Sequence, residues 1–165
     1  MADPLSARPV RFPAGYGTVT PSDLLPWLWV EDRLRPARNY WLTTVGPDGR
    51  PHARPIDGVW VEGALCFGGS PDARWVRNLM VNPAASINLS SETEAIILEG
   101  IAQHVMDPTH PLAAPSMAAS REKYPQYFRA DAPFHPFWTL RPSTAYAWTL
   151  ENFPRGATRW SFEAR

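Results

Sequence analysis

Cysteine is nearly absent from this sequence, which contains only Cys66. A single cysteine excludes an internal disulfide and any metal site built from several thiolates. Because Cys66 lies in an apolar stretch that we interpret as a strand, we expect a small buried hydrophobic side chain. The four histidines lie on separate segments, and no pair of them has a spacing typical of metal ligands. The sequence therefore predicts no metal site.

An excess of charge of either sign is also absent, because sixteen Lys and Arg residues balance sixteen Asp and Glu residues. Nucleic acids and anionic membranes attract basic proteins, so this balance argues against both partners. A barrel that binds nucleic acid through its aromatic residues would need a basic stripe, and the sequence has none. No apolar run approaches the length of a membrane span, and the N-terminus lacks the apolar segment of a secretory signal. We expect a cytoplasmic protein.

Proline and tryptophan are abundant, at nineteen and eight of the 165 residues. Many prolines indicate short elements or long ordered loops, and many aromatic residues favour a β-rich core. The length predicts a single domain, which we place at residues 20–165. Residues 1–19 have no periodic pattern and are interpreted as an arm without regular structure. The sequence leaves open whether this arm is disordered or lies across a partner subunit.

Strands are predicted where β-branched and aromatic residues cluster between Gly, Pro and Asp turns. The predicted strands are 40–45, 50–61, 64–68, 85–89, 94–105, 137–140, 144–150 and 160–162. Prolines at positions 51 and 55 indicate that the second strand is irregular or lies at an edge. Helices are predicted over 21–34 after a Thr20 cap, from Ser70 to Asn82-Pro83, and around 116–124. Because these helices do not alternate with the strands, the pattern favours a closed antiparallel β-barrel with inserted helices.

The loop after the third predicted strand has the composition of an anion-binding site. Gly68 and Gly69 let a backbone approach a ligand closely. Ser70 and Pro71 are typical of the start of a helix, whose first N–H groups and positive dipole end attract anions. The loop and helix together predict that a phosphate binds here.

Three arginines accompany this loop. Arg74 and Arg77 lie in the first two turns of the predicted helix, and Arg54 lies on the adjacent predicted strand, 50–61. Guanidinium groups bind phosphate through two parallel hydrogen bonds. The residues alone also allow a second interpretation, in which the glycines serve only a turn and the arginines lie in solvent. The loop by itself does not decide between these two interpretations.

A longer series of motifs resembles the pyridoxamine 5′-phosphate oxidase-like flavin-binding split-barrel superfamily. The resemblance covers residues 38–106 and resumes at 141–148 and 158–162. Its motifs occur in the family's order: a strand, DGRPH at 48–52, RNL at 77–79, NP at 82–83 and LEG at 98–100. It implies a six-stranded antiparallel Greek-key split barrel that forms a homodimer. It also implies two sites for FMN, or for the deazaflavin F420, each built from both subunits.

The resemblance further implies which positions contact the cofactor. Backbone groups of Arg54, Pro55, Ile56 and Asp57 would run along the flavin ring, and Gly68 and Gly69 would end the next strand beside it. Arg74 and Trp75 match a basic pair that holds the phosphate. Trp148 and Arg159 match positions that reach the flavin from the partner subunit.

Two positions depart from the family pattern. Trp75 stands where members often have Lys, a loss of charge for which Arg77 could compensate. Ala95 stands where oxidases can carry a Gln that contacts the flavin. Both departures argue against FMN bound as in the oxidases and leave room for F420 or for a site that has lost its cofactor. No pyridoxal phosphate site is matched, so oxidation of vitamin B6 is not expected, and no side chain is assigned as an acid.

We therefore expect a flavin- or F420-dependent oxidoreductase that acts on a small organic substrate. The alternative is a non-catalytic protein that binds or sequesters FMN, F420 or haem on the same barrel.

Overall fold

The computed structural model describes residues 3–13, 15–16, 23–128, 131 and 133–163. Nine strands and three helices occur within these residues. The strands are β1 (Ser6–Pro9), β2 (Tyr40–Val45), β3 (Pro51–Ile56), β4 (Val59–Val61), β5 (Ala64–Phe67), β6 (Ala84–Ser90), β7 (Glu94–Val105), β8 (Phe137–Thr149) and β9 (Thr158–Ser161). The helices are α1 (Trp27–Leu34), α2 (Arg74–Val81) and α3 (Ala113–Lys123).

The strands form one antiparallel sheet that curves into a barrel. The order along the sheet is β1-β9-β8-β7-β6-β2-β3, while β5 pairs with β8 and with β4. Only Asp57 and Gly58 separate β3 from β4, so these two strands form one bent strand that returns to β5. With β3 and β4 counted as one strand, the barrel is closed by six strands, namely β2, β3–β4, β5, β6, β7 and β8, while β9 and β1 extend the sheet beyond β8. This architecture confirms the predicted antiparallel split barrel.

Helix α1 packs its buried face into the barrel core. Trp27 contacts the rings of Trp60 and Trp160 at centroid distances of 6.3 and 5.4 Å. The carboxylate of Glu31 is buried beside them, accepts a hydrogen bond from Trp60 Nε1 (3.2 Å) and pairs with Arg35 (2.8 Å). These contacts satisfy a charge that would otherwise be costly to bury. Trp27 and Trp60 therefore belong to the barrel core.

A second apolar cluster lies outside the barrel, beneath α3. Side chains alternate across β5, so that Leu65 and Phe67 face the barrel core while Cys66 faces this second cluster. Cys66 is buried as expected, among residues that include Tyr124 and Phe137. Helix α3 thus covers the outer surface of β5.

The first helix starts later than its sequence pattern predicts. Pro26 occupies the position before the first turn, and α1 begins at Trp27 rather than at residue 21. A proline disfavours helical geometry in the residue before it, so Leu25 could not continue a helix into Pro26. The predicted cap, Thr20, lies outside the described residues, as do positions 21 and 22.

Two strand predictions are also corrected. The predicted strand 50–61 is broken at Asp57-Gly58 into β3 and β4. The predicted pair 137–140 and 144–150 is one continuous strand, because a shift in register opposite Gly100 lets β8 pass Pro142 without breaking. Because of this β-bulge, β8 continues through Pro142, where the sequence predicted a break between two strands.

The N-terminal arm contains a strand where none was predicted. Residues Ser6–Pro9 pair with β9, and Val10 N–H donates to the Ala157 carbonyl at 3.0 Å. The free edge of β9 supplies these backbone partners, which the arm sequence does not reveal. None of the helices in the described part of the chain is both long and apolar enough to cross a bilayer.

Candidate functional site

Strand β3 lies at the end of the sheet path, as its prolines predicted, and carries two basic residues on one face. His52 pairs with Thr44 and Arg54 pairs with Leu42 across the β2–β3 ladder. These pairs share a face with the buried Ile56, so both basic side chains project from the inward-facing side of the strand. The edge position leaves Arg54 exposed and His52 half-buried.

Helix α2 is fixed to this hairpin by a short chain of hydrogen bonds. The amide of Asn78, which is buried, donates to Thr44 Oγ1 at 3.0 Å. Thr44 Oγ1 in turn donates to the carbonyl of His52 at 3.4 Å. Because both polar side chains are buried, each needs a hydrogen-bond partner, and the bond between them fixes the position of α2 against β2. It holds the first turn of α2 near the basic face of β3.

The electrostatics of His52 show that three basic groups lie close together. Partial burial lowers the pKa of the imidazole, and the charges of Arg74 and then Arg54 lower it further. Among the described residues, neither Arg54 nor Arg74 forms an ion pair. A cluster of uncompensated positive charge favours a bound anion.

The first turn of α2 adds backbone donors to this cluster. The helix begins at Arg74, with Ala73 before it, rather than at a Ser70 cap. Ser70 forms a turn of its own, in which its carbonyl accepts from Ala73 N–H (2.9 Å) and its hydroxyl accepts from Asp72 N–H (3.2 Å). Ala73 has no side-chain acceptor, so no side chain caps the first N–H groups of α2. These groups can bind an anion.

The two glycines of the loop have different surroundings. Around Gly68 nothing lies within 4 Å of the place that a Cβ would take. A Cβ at Gly69 would collide with the indole of Trp75, including its Cη2 atom at 2.8 Å. Gly69 is therefore required by the close approach of Trp75.

Trp75 itself lies in the core. It is 7% exposed, and its ring centroid is 5.6 Å from that of Phe67. An indole in this position has no free face toward a surface ligand, so we assign it a packing role and leave it out of the site proposed below. This role differs from the contact with the cofactor phosphate that the family resemblance implies for position 75.

Arg77 and Met80 also differ from the simple helical pattern of α2. Arg77 Nη1 donates to the Asp72 carbonyl at 3.0 Å, so its guanidinium folds back over the loop. Of the apolar residues of α2, Val76 and Leu79 are buried, but Met80 is 66% exposed. The helix is only eight residues long and buries a narrow face.

Trp148 and Arg159 lie on another surface, the outer face of the barrel. Ala145 and Ala147 point inward and are fully buried, so the alternating Trp148 points outward. It packs against Phe153 at a centroid distance of 6.0 Å, and Arg159 donates to Ser161 Oγ at 3.1 Å. In the described part of the chain, no contact joins these two residues to Arg54 or Arg74. A single chain therefore brings together the predicted site residues of β3 and α2, but it does not bring Trp148 and Arg159 to them.

The segment from Arg54 to Asp57 is supported from behind by the end of α3. The Gly58 N–H donates to the hydroxyl of Tyr124 at 3.1 Å, and Lys123 Nζ donates to the carbonyls of Gly58 (3.3 Å) and Ala37 (2.7 Å). Sequence reasoning missed this support, because a Lys-Tyr pair before a proline is too common to indicate it. Sequence analysis likewise gave no role to His52, because a single histidine after a turn carries no distinctive signal.

The sequence profile of the pyridoxamine 5′-phosphate oxidase family matches residues 30–149 of the chain. This chain belongs to that family. No curated protein matches the sequence.

Solved structures similar to this pyridoxamine 5′-phosphate oxidase family member include proteins of different ligand classes. One is an FAD-binding protein from Mesorhizobium loti, with 17% identity, a TM-score of 0.58, and coverage of 84% of this chain and 96% of that one. Another is an F420 reductase, with 22% identity, a TM-score of 0.51, and coverage of 70% and 94%. A third is HutZ, the haem storage protein of Vibrio cholerae, with 18% identity, a TM-score of 0.56, and coverage of 84% and 90%. At these identities the likeness shows the shared fold alone.

Proposed function

We propose that this protein binds FMN, or alternatively F420, and acts as an oxidoreductase on a small organic substrate. The observation that carries the proposal is that Arg54 on β3 and Arg74 on the uncapped first turn of α2 form no ion pair among the described residues. Their guanidinium groups and the first N–H groups of α2 donate hydrogen bonds, and both cofactors carry a phosphate that accepts them. The family's flavin-binding and F420-reducing structural neighbours support the same ligand class.

In this proposal each group has a defined task. Arg74 and Arg54 hold the phosphate by their guanidinium forks, and the first N–H groups of α2 complete its coordination. The backbone from Arg54 to Asp57 borders the ring, with Tyr124 and Lys123 keeping that segment in place. The bound flavin or deazaflavin would supply the hydride-transfer chemistry, while this chain's residues bind and orient it.

The proposal includes a homodimer. A row of ladder partners crosses the outer face of the sheet in the order Trp41, Asn88, Ile97, Tyr146 and Arg159. Trp41 at one end is 48% exposed, an unusual state for a large indole. We propose that a second copy covers this face, so that Trp148 and Arg159 of each subunit complete the site of the other.

Titration with FMN and with F420 tests the cofactor assignment. We expect saturable binding of one of them, and we expect Arg74→Ala to weaken it by about 1.5–3 kcal/mol, the scale of a hydrogen bond to a charged group. Arg50→Ala is the control, since Arg50 is exposed on the β2–β3 turn and pairs weakly with Asp48 at 3.5 Å. Equal affinity of wild type and Arg74→Ala would remove Arg74 from the site.

Turnover then separates an enzyme from a binding protein. Reduction of the bound cofactor by NAD(P)H, or its reoxidation by an organic acceptor, supports an oxidoreductase. Tight binding without either reaction favours a binding or storage protein, as in the haem storage protein of similar fold.

A further inference from the structure

His52 has no task in the cofactor site proposed above, although it lies among the basic residues of that site. On β3 it precedes Arg54 by two positions, which places both side chains on the same face of the strand, about 7 Å apart along it. His52 is half-buried, whereas Arg54 is exposed. The imidazole is therefore better shielded from water than the guanidinium beside it.

Two hydrogen bonds hold the backbone of His52 close to α2. Its carbonyl accepts from Thr44 Oγ1 (3.4 Å), and Thr44 Oγ1 accepts from the amide of the buried Asn78 (3.0 Å). Asn78 lies one helical turn after Arg74, on the same side of α2. Arg74 and the imidazole therefore approach the same space from two different elements.

The charges that act on this imidazole are positive. Partial burial lowers the pKa of His52 most, followed by the charges of Arg74 on α2 and Arg54 on β3. Among the described residues of the adjoining segments, the charged side chains that do not contribute to this shift are Asp48, Arg50, Asp72 and Arg77. No carboxylate thus favours the imidazolium form, and the side chain is mainly neutral at physiological pH while no anion is bound.

A phosphate dianion between Arg54 and Arg74 would reverse this balance. Its two negative charges offset those of the two guanidinium groups, and a negative charge close to an imidazole favours the protonated ring. The protonated ring also offers both of its N–H groups as donors, whereas the neutral ring offers one. Binding of the anion and protonation of His52 should therefore favour each other.

We propose that His52 is a third ligand of the anion, beside Arg54 and Arg74, and that each phosphate that binds brings a proton from the solvent onto its imidazole. No covalent bond changes in this step. The inference rests on the anion site of the proposed function, and it adds a regulation of that site by pH. Affinity for the anion should fall as the pH rises, because the complex binds more protons than the free protein.

Sulfate is a suitable probe, since it carries two negative charges like a phosphate dianion and does not titrate near neutral pH. The imidazole NMR signals of the full-length protein would be followed from about pH 5 to 9, with sulfate or with sodium chloride at the same ionic strength. The signal of His52 is identified by its loss in His52→Gln. We expect sulfate to move the titration midpoint of His52 to higher pH than chloride does.

His104 provides the internal control for this titration. It is exposed on β7, which pairs with β6 and β8 and not with β3, and its midpoint should be the same in both salts. An unmoved midpoint of His52, or equal movements of His52 and His104, would overturn the proposal. This measurement is made on the wild-type protein and needs no flavin.

Calorimetry measures the same coupling with the cofactor. Titrations with FMN and with F420 in two buffers of different ionisation enthalpy, at about pH 7.5, where a phosphate is mainly dianionic, report the protons taken up on binding. We expect uptake of up to about one proton per site in wild type and in His104→Gln, and none in His52→Gln. Wild-type affinity should also be about three- to tenfold higher at pH 7 than at pH 8.5, a difference that His52→Gln should abolish.

The two measurements separate this inference from the proposed function. Cofactor binding with the same proton uptake in wild type and His52→Gln contradicts the role of His52 and leaves the proposed function standing. A sulfate-dependent midpoint of His52 without binding of FMN or F420 supports the role of His52 and contradicts the cofactor assignment. Absence of both effects contradicts both proposals.

Discussion

Lys123 shows how a single residue can hold two distant segments together. Its ammonium donates to the carbonyls of Ala37 (2.7 Å) and Gly58 (3.3 Å), which belong to segments on either side of β2 and β3. Burial, and then the charge of Arg38, lower its pKa from 10.5 to about 8. Lys123 thus supports the proposed ring-binding segment, although the burial of its charge costs free energy.

This shift predicts a pH dependence of stability. Between about pH 8 and 10.5 the unfolded chain still binds the Lys123 proton while the folded chain has begun to lose it. The unfolded state therefore binds more protons, and the contribution of Lys123 to the free energy of unfolding rises with pH over this range. Urea unfolding at pH 7.5 and 9.5 should show wild type gaining stability relative to Lys123→Met.

The comparison with Lys123→Met is needed because the titration of Cys66 changes the free energy of unfolding in the opposite direction. Burial raises the pKa of its thiol to about 11, so its contribution is lost as the pH rises from 9 to 11. Both proteins contain Cys66, and its effect cancels in the difference. Parallel pH profiles for the two proteins would refute the role of Lys123.

At the scale of elements, the loop from Gly68 to Ala73 and the helix α2 are joined through one side chain. The indole of Trp75 lies directly against Gly69 and reaches the ring of Phe67 on β5. This contact draws the first turn of α2 down onto the loop, next to the basic face of β3. The absence of a side chain at Gly69 is what allows it.

Substitution of the two neighbouring glycines tests this packing. Gly69→Ala should destabilise the protein by about 1–3 kcal/mol, because its Cβ would collide with the Trp75 indole in a packed core. Gly68→Ala should have little effect, since nothing lies within 4 Å of its Cβ position. The midpoints of thermal unfolding of both variants test this expectation. Equal midpoints would mean that Trp75 moves aside without loss of stability.

At the scale of the whole molecule, the outer face of the barrel predicts association. If a second copy covers this face, Trp41→Glu should convert a dimer to a monomer, because a buried unpaired carboxylate is costly. Leu28→Glu is the control, since Leu28 is equally an exposed apolar residue but lies on α1. Light scattering would measure both masses, and a monomeric wild-type protein would end the dimer proposal.

Composition and local pattern by themselves determined the fold class and much of the element order. The bounds of β7, the edge position of β3 and the end of α2 at Asn82 all follow from propensities and prolines within a few residues. Such signals are readable because their causes are local. The family was also recognisable, since its motifs depend on order along the chain.

Only the tertiary structure decided how the site is assembled. The burial of Trp75, the clustering of His52 with Arg54 and Arg74, and the support from Lys123 all depend on contacts between separate elements. The same holds for β1, whose partner β9 lies about 150 residues further along the chain. Residue types therefore predicted that this region can bind an anion, but packing between distant segments determined which of those residues lie close together.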